Sequence, residues 1–171
     1  MRPLVHDILM VSYTIAQAQH YVEVWRALTE HALFTETEET TEERFAAAMQ
    51  ELPAEDQAAV AQWSPSEWLG QITVENFTTY VDRMRNWVNT VPVFTIYVPV
   101  ELPASELKDI AKLITESKGD DWLLEAKIDP NVMGGCAYIL DDHYYDYSLH
   151  GRLTRHPEVM TEIFNSYEQG I

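Results

Sequence analysis

Leu4, Ile8, Val11, Ile15, Ala18, Val22 and Trp25 recur at alternating steps of four and three, the spacing that lines residues along one stripe of a helix. Residues 3 to 33 therefore predict one long helix or two joined ones. The segment from Thr35 to Glu43 is almost wholly Glu and Thr, with nothing to bury, and predicts a solvated loop or a helix N-terminus. Phe45, Ala48, Met49 and Leu52 mark a short helix that Pro53 ends, and Pro53 can open the next one, through Ala59, Val60 and Trp63. Pro65 interrupts again, and a short Trp68-Leu69 piece and Gly70 follow. Val74, Phe77, Val81, Met84 and Val88 then form the stripe of a helix that stops before Pro92. Residues 1–90 read as an all-helical bundle with short connections and no strand signal.

The pattern changes after Pro92. Val93 to Val100 is β-branched and aromatic, with Phe94, Ile96, Val98 and Val100 on one face and Thr95 and Tyr97 on the other, which predicts a strand. Leu107, Ile110, Ala111 and Ile114 give a helical stripe, with Pro103 suited to its first turn, Lys118 to its last and Gly119 to its stop. Trp122, Leu124, Ala126 and Ile128 alternate as a second strand. Gly134 and Gly135 then supply backbone freedom ahead of a hairpin. Placing its turn at Asp142-His143 pairs Tyr138 with Tyr147, Leu140 with Tyr145 and Cys136 with Leu149, all on one side; Ala137, Ile139, Asp141, Tyr144, Asp146 and Ser148 take the other. Ser148 can cap a helix carrying Leu149 and Leu153, and a tail helix runs through Val159, Met160, Ile163, Phe164 and Tyr167. The fold class is α+β: a helical bundle, residues 1–90, followed by a small α+β domain with a hairpin and tail helix, residues 91–171.

Composition narrows the function. With 46% apolar residues, five Trp and nine Tyr, the 171-residue chain can build packed cores. Its 28 acidic and 11 basic side chains give −17, which opposes a nucleic-acid or anionic-membrane surface and favours neutral or basic partners. One Cys excludes an internal disulfide and a cysteine zinc cage, and Cys136 reads as a small strand hydrophobe. No apolar run reaches the ~18 residues of a membrane span, and the N-terminus lacks an export pattern. The expected setting is cytoplasmic, with any membrane association arising through a partner.

Chemistry-bearing motifs are few. Asp141, Asp142, His143, His150 and His156 lie close in sequence and are usable metal ligands by type, but the hairpin separates them, and no metal is predicted. Nucleophile elbow, phosphate loop, dinucleotide fingerprint and zinc-protease helix are all absent. No catalytic residue and no cofactor are assigned. Asp146 and Arg152 are candidates for a structural salt bridge. Trp25, Trp63 and Trp68 read first as core and second as partner contacts.

The residues Asp129, Pro130, Gly134, Gly135, Asp146, Ser148, Gly151, Arg152 and Leu153 stand in the order Asp-Pro, Gly-Gly, apolar strand, turn, Asp-x-Ser-x-x-Gly-Arg-Leu. In this the C-terminal third resembles the delta subunit of F-type ATP synthase, the oligomycin-sensitivity-conferring protein family, with Asp141-Asp142-His143 where that family's turn usually carries a glycine. The resemblance implies a helical domain followed by a small α+β domain in a non-catalytic peripheral-stalk subunit. It implies as partners the N-terminal helices of the catalytic head's alpha subunits and the C-terminal ends of b-type stalk subunits, on the cytoplasmic side of the energy-transducing membrane. Two alternatives remain: an E-type stalk subunit of a related rotary ATPase, whose long uninterrupted N-terminal helix the breaks at Pro53, Pro65 and Gly70 oppose, and a free-standing regulatory α+β module that binds a small ligand.

Overall fold

A computed structural model describes residues 2–119, 122–140, 143–158, 161 and 165. The chain groups into two compact units, Met1–Pro92 with Ala111–Leu123, and Val93–Ile110 with Leu124–Ile171. It is an α+β protein, with helices first and a four-stranded mixed sheet after them.

The first unit begins with α1 (Arg2–Val11) and α2 (Ile15–Phe34). The long apolar stripe is thus carried by two helices. Thr14 makes the break: its hydroxyl accepts the Gln17 N–H at 3.2 Å, and the Gln17 side chain returns to the Thr14 N–H at 3.3 Å, a capping box that starts α2 afresh. The acidic segment is exposed from Glu36 to Thr40 and then becomes the N-terminus of α3 (Thr41–Gln50), where Thr40 and Glu43 form a second capping box. Glu42 and Glu43 there suit the positive end of the helix dipole. Pro53 is the N-cap of α4 (Ala54–Val60), and 3-10 turns at Pro65–Glu67 and Leu69–Gln71 lead to α5 (Phe77–Val88). Val74, expected on the α5 stripe, is exposed and precedes the helix. One apolar core gathers Leu4, Ile8, Val22, Trp25, Phe45, Trp68 and Met84.

Along the chain β1 (Val93–Val98) is followed by α6 (Ala104–Lys118), which ends where Gly119 turns to φ +106°, and by β2 (Leu123–Ile128). Leu123 N–H bonds Pro92 C=O and Asp129 N–H bonds Val98 C=O, so the two strands advance in the same direction. A 3-10 turn at Pro130–Val132 leads into the hairpin of β3 (Gly135–Leu140) and β4 (His143–Ser148), and α7 (Leu149–Arg155) follows. The sheet order is β2-β1-β3-β4, with β3 antiparallel to both neighbours.

The hairpin register differs from the expected one by two residues. Tyr138 faces Tyr145, Cys136 faces Tyr147 and Leu140 faces His143, so His143 is a strand residue and not part of the turn. A two-residue slip leaves every side chain on its predicted face, because strand periodicity is two, and so the apolar pattern alone could not detect it. What the slip changes is the neighbours: Tyr138 stacks on Tyr145 and on Tyr147, with ring centroids 5.0 and 5.8 Å apart. The expected tail-helix stripe, Val159, Met160, Ile163, Phe164 and Tyr167, lies outside the described residues.

Candidate functional site

Seven of the nine motif residues have a clear structural task, and all nine belong to the second unit. Asp129 Oδ1 accepts both the backbone N–H and the side-chain Nδ2 of Asn131 at 2.9 Å, starting the turn in which Pro130 is the first residue. That turn lies against β1, β3 and α7. Met133 closes it at φ 60°, and the Gly134 N–H reaches back to the Val132 C=O at 2.7 Å, a three-residue turn with positive φ at its centre. Gly135 has φ +73°, whereas Gly134 does not have a positive φ. The kink expected at the glycine pair is therefore centred on Met133 and Gly135, and the two glycines are not equivalent. A Cβ on Gly135 would lie 2.5 Å from the Tyr147 carbonyl oxygen; one on Gly134 would make ordinary contact with Leu149 at 3.6 Å.

Across the hairpin, Asp146, Ser148 and Gly151 form a second cluster. Asp146 Oδ1 accepts the Ser148 N–H at 2.9 Å, and Ser148 Oγ accepts the Gly151 N–H at 2.8 Å as N-cap of α7. The Asp146 carboxylate sits where a Gly151 side chain would be, with Oδ2 1.8 Å from an added Cβ. The partner expected for Asp146 was Arg152. No ion pair forms between them: Arg155 closes the cluster, donating from Nε to Gly151 C=O at 3.1 Å and from Nη2 to Asp146 C=O at 2.7 Å. Arg152 is exposed and Leu153 half-buried. The missed Arg155 had a signal, since it stands four residues after Gly151 on the α7 sequence and can reach that carbonyl.

The Ser148 hydroxyl first, then the Ser148 N–H, with smaller help from Arg155 and His150, holds the Asp146 carboxyl below the usual carboxylate range. The lowered folded-state value fixes the sign: the cluster's contribution is complete above the ordinary Asp range and is lost as pH falls through the lowered value. An NMR acid titration is expected to show Asp146 protonating below an exposed reference Asp, with the Ser148 amide resonance moving on the same curve. Removal of the hydroxyl in Ser148→Ala is expected to bring the Asp146 midpoint back up.

His143 pairs with Leu140 in the sheet, His150 is exposed on α7, and His156 meets Glu158 at 2.9 Å; Asp141 and Asp142 lie outside the described residues. Among the described residues no group of three or more His, Cys, Asp or Glu is gathered to hold a metal ion. Trp25, Trp63 and Trp68 are 0%, 6% and 1% exposed, in the core of the first unit.

That unit also carries a surface groove, a cavity of about 330 Å³ between α2 and α5, with Val22 and Val88 at its base and Gln19, Glu23, Arg85 and Asn89 around it. Arg85 spans the helices to Glu23 at 2.8 and 3.0 Å, and Arg26 reaches Glu23 at 2.8 Å. Arg26 first, then Arg85, keeps the Glu23 carboxyl below its usual range. The pairs are about half exposed, so each contributes little stability.

The sequence motif thus shapes the backbone of an α+β unit, and the helical unit carries an open groove. The family model for the ATP synthase delta (OSCP) subunit matches residues 69–160, more than half of the 171-residue chain and well beyond the C-terminal motif. The chain belongs to that family, a structural, peripheral-stalk subunit of ATP synthase that associates with other subunits and is peripheral to the membrane complex. A comparison with curated proteins gives no match. Among the described residues no helix is long and apolar enough to cross a membrane.

Proposed function

We propose that this chain is the connector of the stalk: its helical part grips the N-terminal helices of the head's alpha subunits, and its α+β part holds the C-terminal ends of b-type stalk subunits. By preventing the head from turning with the rotor, it supports proton-driven ATP synthesis without catalysing a step itself. Two domains, residues 1–90 and 91–171, would carry the two grips. Family membership supports the reading, and the groove between α2 and α5 is the single feature of the chain that carries it furthest. A helix laid there would place apolar side chains on Val22 and Val88 and polar ones toward Gln19, Glu23, Arg85 and Asn89, the usual division for helix-in-groove recognition.

Affinity purification of the tagged full-length chain from its own membranes tests this. Head and b-type subunits are expected to co-purify. Replacing Gln19 and Asn89, exposed at the rim of the groove, by tryptophan is expected to release the head while the b-type subunits stay. Recovery of neither, with the chain shown to be folded, would refute the connector reading.

A further inference from the structure

The outer edge of β4 is half closed. Leu149 N–H bonds Gly134 C=O, and alternation along the hairpin then turns the main-chain groups of Tyr147, Tyr145 and His143 toward β3 and those of Ser148, Asp146 and Tyr144 outward. Two outward groups are occupied, the Ser148 N–H by Asp146 Oδ1 and the Asp146 C=O by Arg155 Nη2. These contacts blunt the edge next to α7, as folded proteins commonly do. The N–H and C=O of Tyr144 and the N–H of Asp146 are left unpaired on an edge that no strand covers among the described residues. Beside them is a cleft of about 420 Å³ lined by Tyr144, Tyr145, Tyr147, Arg152 and Arg155, with Asp146 and Ser148 between. Tyr144 and Tyr147 are 62% and 65% exposed.

Charge selects the occupant. The chain as a whole is at −17, yet α7 carries Arg152 and Arg155 and no acidic residue. The cleft's carboxylate, Asp146, is turned inward onto Ser148 and against Gly151. Two hydrogen bonds hold the Arg155 guanidinium in place, which lowers the entropy lost when its remaining N–H groups are used. Arg152 is exposed and makes no ion pair among the described residues. We propose that this edge receives an extended acidic segment of a partner protein, which adds a short strand beside Tyr144 and sets a carboxylate on Arg152 and Arg155. Backbone pairing gives the segment its direction, the tyrosines supply contact area, and the arginines reject a basic segment. The proposal goes beyond the stalk reading and does not depend on it.

Calorimetry and amide NMR of the full-length chain with a short synthetic peptide alternating valine and glutamate, and with its valine-lysine counterpart, test the proposal. The glutamate peptide is expected to bind and to shift the Tyr144 and Asp146 amides, while the lysine peptide does not. Arg152→Gln is expected to weaken binding about tenfold, the loss of one charge-assisted contact. Tyr144→Pro removes an outward N–H while leaving the bonds to β3, a substitution that edge strands tolerate, and is expected to abolish binding. The proposal is overturned by equal binding of the two peptides, by binding of neither to the folded chain, or by an Arg152→Gln variant of unchanged affinity. Self-association lost in Tyr144→Pro would overturn it in favour of a second copy at the same edge.

Discussion

Replacing Gly135 by alanine is expected to cost about 3 kcal/mol, while the same change at Gly134, the adjacent residue, is expected to stay within ~0.5 kcal/mol of neutral. At Gly135 two penalties add. The backbone is at φ +73°, where a Cβ costs about 1–2 kcal/mol, and the new atom would lie 2.5 Å from the Tyr147 carbonyl oxygen, a main-chain atom fixed by the ladder. Gly134 has ordinary φ and 3.6 Å of room against Leu149. Gly151→Ala falls between, at about 1–3 kcal/mol: its Cβ would displace the Asp146 carboxylate, which can swing aside only by leaving the Ser148 N–H. Thermal unfolding checks the order. A shift of about 2–4 °C per kcal/mol separates Gly135→Ala and Gly151→Ala from Gly134→Ala. Equal loss at Gly134 and Gly135 would mean that the kink is not centred as the backbone angles place it.

Much of the fold was legible because burial is periodic and punctuation is local. The stripes of α1, α2 and α5 and a strand starting at Val93 follow from spacing, although that strand ends at Val98 and leaves Val100 exposed; Pro53, Lys118 and Gly119 mark ends that the structure keeps. What spacing conceals is anything that preserves the period. The α1–α2 break leaves the apolar stripe continuous, because Thr14 and Gln17 make it through hydrogen bonds. The hairpin slip of two residues preserves both faces. At the candidate site, Asp146, Ser148 and Gly151 were legible as a motif, but their logic was not: the clash that excludes a Cβ and the reach of Arg155 are three-dimensional facts. The net charge of −17 pointed to neutral or basic partners, and it averages over a small region at α7 where the local sign is reversed.

Trp68→Ala is expected to be the most destabilising single change in the helical unit, at about 3–5 kcal/mol. Trp68 is 1% exposed and its ring meets Phe45 edge-on at 5.6 Å, so truncation opens a large void among side chains that cannot all move in. It also removes one of the two donors to Asp7. The Trp68 Nε1–H donates to Asp7 Oδ2 at 2.8 Å, and the same oxygen accepts the Ser64 N–H at 2.9 Å, so a carboxylate only 6% exposed ties α1 to the turns after α4. Asp7 stands between Leu4 and Ile8 on a buried helix face, an acidic interruption that marks a position needing donors. Trp68→Phe separates the two effects: it keeps most of the packing and removes the donor, and about 1–3 kcal/mol is expected. Asp7→Leu leaves both donors unpaired and is expected to cost a similar amount, whereas Asp7→Asn, which retains an acceptor, costs less. In a double-mutant cycle, Trp68→Phe and Asp7→Asn are expected to be non-additive, because they touch one hydrogen bond. Urea unfolding of each variant measures this. If Trp68→Ala left the midpoint unchanged and lowered only co-purification of the head, the residue would be a partner contact and not the keystone of this core.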